Sequence, residues 1–116
     1  MKPILYHNAA CSTSRNAIQL LTENGIDFTV REYLKDLLSR DELKELLARL
    51  SLPASAIVRK KGADYEEAGI ADDAPESEWF ELLMAHPKLM QRPIVEMNGK
   101  AIVARPVGKA LEFLKP

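Results

Sequence analysis

The sequence has a single cysteine, Cys11, and only two histidines, His7 and His86, among its 116 residues. One cysteine cannot form an internal disulfide, which excludes the disulfide framework of small secreted proteins. A zinc site is also unsupported, because the two histidines lie far apart in the sequence and no second cysteine is available. We therefore expect no bound metal and no bound cofactor.

The chain also lacks a large net charge and a long apolar run. It has 16 basic and 17 acidic residues, a net charge of −1, and this balance predicts neither nucleic acid nor a membrane as partner. No apolar run approaches the roughly 20 residues that span a bilayer. The segment after Lys2 has no apolar core typical of a signal peptide. The expected location is therefore cytoplasmic.

Periodic apolar positions predict an α/β fold. Residues 3–7 are interpreted as a buried strand, residues 14–24 as a helix ending at Gly25, and residues 26–31 as a second strand. Such a strand–helix–strand unit has a right-handed crossover and parallel strands. The first half of the sheet is thus predicted near the N-terminus.

The middle of the chain, at about residues 39–90, is predicted to be helical. Ser39 and Glu42 have the spacing of a capping box in front of a leucine-rich stripe. A further short helix is expected at about 53–60, after Pro53, and another before the His86-Pro87 pair. These helices are interpreted as an insertion between the two halves of the sheet.

The last part of the chain predicts a hairpin followed by a helix. Residues 93–97 and 100–104 flank Asn98-Gly99, the dipeptide that type I′ turns favour, and Pro106 opens the final helix. The order βαβ, helices, ββα is compatible with a thioredoxin-like mixed sheet that carries a helical insertion, although order alone leaves other α/β folds open. At this length, one domain covering residues 1–116 is expected.

Cys11 lies in the loop that leads into the first predicted helix. Unpaired N–H groups and the positive end of the helix dipole favour a thiolate there. His7 and Arg15 lie within four residues on either side and would stabilise negative sulfur. A small buried core cysteine is the alternative, and position alone leaves the two open.

The hydroxyl residues after Cys11 have two interpretations. At least one of Ser12, Thr13 and Ser14 is expected to cap the helix, and these side chains are also suited to donate hydrogen bonds to an anion. Arg15 is unfavourably placed for the helix dipole, which hints at a use for its charge.

Three arginines are further candidates. Arg92 directly precedes Pro93 where the hairpin begins, and Arg105 directly precedes Pro106 where it ends. The Arg92–Pro93 bond is a candidate for the cis form. Together with Arg59, arginines that converged on a cysteine would bind a tetrahedral oxyanion in bidentate fashion. The sequence alone does not establish that they converge.

These motifs resemble those of the glutaredoxin-dependent arsenate reductases of the thioredoxin-like superfamily, over nearly the full length of the chain. The matching segments are Tyr6-His7-Asn8 with Cys11 and Ser14-Arg15-Asn16, Arg59-Lys60, Tyr65-Glu66-Glu67, His86-Pro87 with Leu89, Arg92-Pro93-Ile94-Val95, and Arg105-Pro106. One departure is Ala9, where the family usually has proline.

The resemblance implies a thioredoxin-like fold and the reduction of arsenate to arsenite. In the family the cysteine, here Cys11, attacks arsenate, and three arginines, here Arg59, Arg92 and Arg105, bind the oxyanion. The histidine, here His7, is held to lower the pKa of the thiol. Glutathione is the co-substrate and glutaredoxin the partner that reduces the mixed disulfide, so an external thiol is needed.

Two other functions remain open. The same superfamily includes a regulator that binds RNA polymerase and senses the redox state, typically through its own Cys-x-x-Cys pair. Here Ser14 stands where the second cysteine would be, so only a regulator without the disulfide switch is compatible. A general glutathione-dependent thiol oxidoreductase would also need no more than one reactive cysteine.

Overall fold

A computed structural model describes residues 2–114 of the chain. The strands are β1 (Ile4–Tyr6), β2 (Thr29–Arg31), β3 (Ile94–Met97) and β4 (Lys100–Val103). The α-helices are α1 (Ser12–Glu23), α2 (Arg40–Leu50), α3 (Ala63–Ala68), α4 (Glu76–Ala85) and α5 (Gly108–Leu114). Short 3-10 helices cover Ala54–Ile57 and Pro87–Leu89. None of the helices in residues 2–114 has both the length and the apolar character needed to cross a membrane.

The strands form one mixed sheet in the order β2-β1-β3-β4. β1 is parallel to β2 and antiparallel to β3, which pairs with β4 in an antiparallel hairpin. Tyr6 lies opposite Arg31 on one side and opposite Ile94 on the other. The predicted parallel pair and the predicted hairpin are both confirmed.

The hairpin turn has the geometry that its sequence predicted. Asn98 has φ 53° and Gly99 has φ 79°, both in the left-handed region. A type I′ turn needs positive φ at both central positions, and glycine meets that need without a clash at Cβ.

β2 is shorter than the predicted strand of residues 26–31. Ile26 and Phe28 are partly buried against the core instead of extending the ladder. The N–H of Ile26 donates to the carbonyl of Leu21 at 3.0 Å, which closes the end of α1. Local alternation therefore predicted a strand where the chain is still completing the helix terminus.

The core on one face of the sheet joins α1 and α5 to the central strands. Its buried members are Leu5, Ala17, Leu21, Val95, Ala104 and Ala110. Leu5 and Val95 lie opposite each other in β1 and β3, so both project toward the helices. Burying a side chain such as Leu21 contributes about 1.5–3 kcal/mol, which fixes α1 against the sheet.

The opposite face of β1 and β3 carries a buried polar pair. The Tyr6 hydroxyl donates to Oε1 of Glu96 at 2.8 Å, and both residues are buried. Because buried polar groups are costly without a partner, this bond satisfies the hydroxyl and a carboxylate oxygen together.

Contacts divide the chain into two compact units. The first unit comprises residues 2–37 and 92–114 of the described chain and contains the whole sheet, and the second is Leu38–Gln91. The expectation of one domain over residues 1–116, with a helical insertion at about 39–90, stays a prediction.

In the second unit, the capping box is confirmed. Ser39 Oγ accepts from the N–H of Glu42 at 3.1 Å, and Glu42 Oε1 accepts from the N–H of Ser39 at 2.9 Å. The helix predicted at about 53–60 is instead the short 3-10 helix Ala54–Ile57. It ends there because Val58 forms an antiparallel bridge with Met90.

Trp79 is the centre of an aromatic cluster in this unit. It is only 1% exposed, and its Nε1 donates to the carbonyl of Ala74 at 3.1 Å. The Tyr65 ring stacks on it with centroids 6.4 Å apart, and Lys60 Nζ lies 4.8 Å from its ring centroid. Both contacts are favourable for an indole ring.

Candidate active site

One edge of the sheet brings the candidate residues of the first unit together. Because Tyr6 is level with Arg31 and Ile94 in the register, β1 and β2 end where β3 begins. The N–H of His7 donates to the carbonyl of Arg31 at 2.9 Å, which ties the start of the cysteine loop to the end of β2. Loops that follow parallel strands at such an edge are common positions for functional residues.

Cys11 is the N-cap residue of α1, with φ −95° and ψ 122°. Its predicted position at the start of a helix is confirmed, although α1 begins at Ser12 instead of at Ser14. The prediction that Ser12, Thr13 or Ser14 caps the helix is wrong. Cys11 occupies the N-cap position, and none of the described side chains makes a capping hydrogen bond there. Its carbonyl accepts from the N–H of Arg15 at 3.1 Å, the first bond of the helix.

The loop between β1 and Cys11 is held by its own hydrogen bonds. The carbonyl of Asn8 accepts from the N–H of Cys11 at 2.9 Å, and Asn8 Oδ1 accepts from the N–H of Ala10 at 3.0 Å. Ser14 is fully buried, and its Oγ accepts from the N–H of Asn8 at 3.4 Å. The Ser14 side chain therefore fixes the loop that carries the thiol.

The side chain of Arg15 also holds this loop. Arg15 is exposed, and its Nη1 donates to the carbonyl of Ala9 at 2.8 Å. This bond tethers the position where the family pattern has proline. The predicted roles of Ser14 and Arg15 in binding an oxyanion stay predictions.

The surroundings of Cys11 favour its thiolate. Partial burial raises the pKa of the thiol, but the N–H groups of Ser14 and Thr13 and the guanidinium of Arg92 outweigh it, so that the pKa falls to about 7. A thiol with this pKa is about half ionised near neutral pH, and the thiolate is the nucleophilic form. The observed half-buried position agrees with a reactive cysteine better than with a core residue.

His7 is buried, with 6% of its surface exposed, and its Nδ1 has no hydrogen-bond partner within residues 2–114. Burial lowers its pKa, the charge of Arg15 lowers it further, and Glu32 opposes both. The imidazole is therefore neutral at neutral pH. It is not among the groups that lower the pKa of Cys11, and its predicted tuning role stays a prediction.

The two arginines of the hairpin meet at the same junction. Arg92 is half-buried, and its guanidinium is one of the groups that lower the pKa of the Cys11 thiol. Arg105 is exposed, and its Nη1 donates to the backbone carbonyl of Arg92 at 2.9 Å. Arg92–Pro93 has the cis form that its position suggested, and Arg105–Pro106 is also cis.

Arg59 and His86 belong to the second unit. Arg59 is exposed, and its N–H donates to the carbonyl of Leu89 at 2.6 Å, which extends the Val58–Met90 bridge. His86 is the exposed C-cap residue of α4, which ends before the His86-Pro87 pair as predicted. The assignment of Arg59 to oxyanion binding stays a prediction.

Sequence reasoning missed Tyr33, which lies two residues after β2 and is 1% exposed. The guanidinium of Arg92 and the sulfur of Cys11 both act on its hydroxyl. Its position after the second parallel strand was the available signal, because that edge of the sheet also holds His7 and the cysteine loop.

The chain is similar to known proteins over most of its length. Residues 6–113 match the ArsC family. An uncharacterized protein in the glnII region of Streptomyces viridochromogenes is 42% identical over 106 residues, 87% of this chain and 89% of that protein. The arsenate reductase of Escherichia coli K12 is 36% identical over 111 residues, 95% of this chain and 79% of that protein.

A solved structure has the same fold. The arsenate reductase from Vibrio cholerae superposes with a TM-score of 0.90 at 38% identity, covering 98% of each chain. The predicted mixed sheet of thioredoxin-like type is confirmed by this similarity and by the strand order β2-β1-β3-β4.

Proposed function

Because the chain belongs to the ArsC family, we propose that it reduces arsenate to arsenite with Cys11 as the nucleophile. The observation that carries the proposal is the position of Cys11 at the N-cap of α1, with a pKa of about 7 beside Arg92. Relatives and a closely similar structure that bear the name arsenate reductase support the same substrate.

In the first step the sulfur of Cys11 attacks the arsenic of arsenate. A sulfur–arsenic bond forms, and an arsenate oxygen leaves as water after taking up protons. The guanidinium of Arg92 offers paired N–H donors to the tetrahedral oxyanion, and the first N–H groups of α1 favour negative charge at the same place. Arg105 is the further hairpin arginine that we assign to the oxyanion.

In the second step the thiolate of glutathione attacks the sulfur of Cys11. A disulfide forms, the electron pair of the sulfur–arsenic bond stays on arsenic, and arsenic(V) becomes arsenic(III) in the released arsenite. A thiol of glutaredoxin then attacks the glutathione sulfur and restores the Cys11 thiolate. Because the chain has one cysteine, the electrons for this cycle come from external thiols. We place the reaction in the cytoplasm, where the glutathione pool is reducing.

The test is a coupled assay with purified protein, glutathione, glutaredoxin, glutathione reductase and NADPH, with and without arsenate. We expect arsenate-dependent NADPH oxidation that falls to background in Cys11→Ser, because a hydroxyl at this position is not ionised near neutral pH. Ser12→Ala, a change in the exposed residue next to Cys11, is the matched control and is expected to retain activity.

Arsenate-dependent turnover that survives in Cys11→Ser would contradict the proposed nucleophile. If a folded protein with a titratable thiol shows no arsenate dependence, the proposed substrate is wrong. Activity on a glutathionylated peptide would then support a general thiol oxidoreductase. Specific recovery of RNA polymerase subunits from extract would instead support the regulator without a switch, in which Ser14 replaces the second cysteine.

A further inference from the structure

Tyr33 combines almost complete burial with a polar group that lacks an ordinary partner. Its side chain is 1% exposed, and the hydroxyl oxygen has no hydrogen bond of normal length and angle in the described part of the chain. Buried hydroxyl groups nearly always have a partner, because an unsatisfied one costs about 1–3 kcal/mol. The position of this hydroxyl therefore calls for an explanation.

The turn that carries Tyr33 is fixed by the backbone. The carbonyl of Glu32 accepts from the N–H of Asp36 at 2.8 Å. The guanidinium of Arg31 spans the same turn, with Nε donating to the carbonyl of Asp36 at 3.2 Å and Nη2 to that of Leu37 at 3.0 Å. With both ends of the turn held, the Tyr33 ring has a defined position at the end of β2.

The guanidinium of Arg92 is the cationic group that acts on the Tyr33 hydroxyl. Burial raises the pKa of Tyr33 to about 12, while the charge of Arg92 and a hydrogen-bonding approach by its guanidinium oppose that rise. The approach is longer or more oblique than an ordinary hydrogen bond, since the oxygen has no partner of normal geometry. Tyr33 is thus a neutral phenol whose oxygen faces a cation.

The same guanidinium acts on Cys11. The guanidinium of Arg92 and its charge are among the causes that lower the pKa of the Cys11 thiol, and the charge of Cys11 in turn raises the pKa of Tyr33. Tyr6 is level with both Arg31 and Ile94, so the chain reaches Tyr33 after β2 and leaves Arg92 before β3 at one edge of the sheet. Arg92 consequently acts on both the tyrosine and the thiol.

We propose that Tyr33 is a positioning residue, whose fixed ring and hydroxyl oxygen hold the guanidinium of Arg92 in place against the Cys11 sulfur. The guanidinium carries several N–H donors in one plane, so one edge is available to the tyrosine while another faces the sulfur. The hydroxyl is itself buried, so we assign its effect on the thiol to its contact with Arg92. The consequence for arsenate binding rests on the proposed function, whereas the consequence for the thiol does not.

The first measurement is the rate of Cys11 alkylation by iodoacetamide as a function of pH, in the full chain and in Tyr33→Phe. Removing the hydroxyl leaves the guanidinium of Arg92 less well held, so we expect the pH midpoint of Cys11 alkylation to rise by about half a pH unit. Tyr6→Phe is the matched control, because it removes another buried tyrosine hydroxyl of the same unit, one that donates to Glu96. It is expected to lower the thermal midpoint and to leave the alkylation midpoint unchanged.

The second measurement repeats the comparison in an Arg92→Ala background. If Tyr33 acts through Arg92, Tyr33→Phe has no further effect on the thiol once the guanidinium is gone. An unchanged midpoint in Tyr33→Phe, an equal shift in Tyr6→Phe, or a full shift without Arg92 would each overturn the proposal. Since alkylation needs no arsenate, these outcomes are independent of whether the chain reduces arsenate. If the protein is active, the KM of Tyr33→Phe for arsenate is expected to be about three times that of Tyr6→Phe. The reason is that a less well held Arg92 makes a weaker charge-assisted contact with the oxyanion.

Discussion

Arg92 and Arg105 stand in the same local context, each before a cis proline at one end of a single hairpin, but their side chains are used differently. The half-buried guanidinium of Arg92 faces Cys11 and Tyr33. The exposed guanidinium of Arg105 donates to the backbone carbonyl of Arg92. One arginine acts on the sulfur, and the other holds the chain that carries the first.

The comparison shows that a shared dipeptide does not imply a shared role. Charge near a partially buried thiol has a strong effect because less water screens it, whereas an exposed donor to a carbonyl contributes a modest hydrogen bond. Substitutions at the two arginines should therefore differ in kind as well as in size.

Arg92→Ala is expected to have the largest effect. Loss of the nearby cation removes a cause of the lowered pKa of Cys11, so the alkylation midpoint should rise from about 7 by about one pH unit. At pH 7 this would reduce the thiolate fraction about fivefold. In the coupled assay we expect about a hundredfold loss in kcat/KM for arsenate, since a donor to the reacting oxyanion is also gone.

The lowered pKa of Cys11 makes the stability of the folded chain depend on pH. Cys11 has a folded pKa below its ordinary value, so its ionisation stabilises the folded chain above that ordinary value. This contribution is lost as the pH falls through about 7. An alkylation midpoint in Arg92→Ala equal to that of the unmodified chain would show that the N–H groups of Thr13 and Ser14 suffice.

Arg92→Lys is expected to have an intermediate effect. The charge is retained, so most of the lowering of the thiol pKa should remain, but a single ammonium cannot offer the paired donors of a guanidinium. We expect about a tenfold loss in kcat/KM, equivalent to about 1.4 kcal/mol. Steady-state kinetics with varied arsenate would measure it, and full activity would mean that charge alone is sufficient.

Arg105→Ala is expected to have the smallest effect on the pKa of the Cys11 thiol. It removes the bond to the Arg92 carbonyl, so the free energy of unfolding should fall by about 0.5–1.5 kcal/mol in urea titration. The alkylation midpoint should stay near about 7, because Arg105 is not among the groups that lower the pKa of Cys11. A midpoint shift as large as that of Arg92→Ala would abolish the distinction between the two arginines.

Local patterns were sufficient to predict several parts of the molecule. The Asn98-Gly99 turn, the capping box of Ser39 and Glu42, and the placement of Cys11 at a helix start depend on residues close together in the chain. Short-range chemistry determines such features, since turns and caps are satisfied by neighbouring backbone groups.

Features that depend on distant segments were not predicted. The sequence places Tyr33 after the second parallel strand, but the influence of Arg92 on Tyr33 depends on residues about 60 positions apart and on the sheet register. The start of β2 was misjudged because the N–H of Ile26 bonds back to Leu21. The N-cap position of Cys11 was missed, and Ser14 accepts from Asn8 instead of capping the helix. In each case a tertiary or competing contact determined the outcome.

The single tryptophan has a consequence for measurement. Trp79 lies in the unit Leu38–Gln91, stacked on Tyr65 and beneath Lys60, while the single cysteine lies in the unit that holds the sheet. Tryptophan fluorescence and thiol labelling are therefore separate reporters, one in each unit, without any engineered probe. Coincident denaturation curves from the two signals would indicate one cooperative folding unit, and displaced curves would reveal a partly folded species in which one signal is lost first.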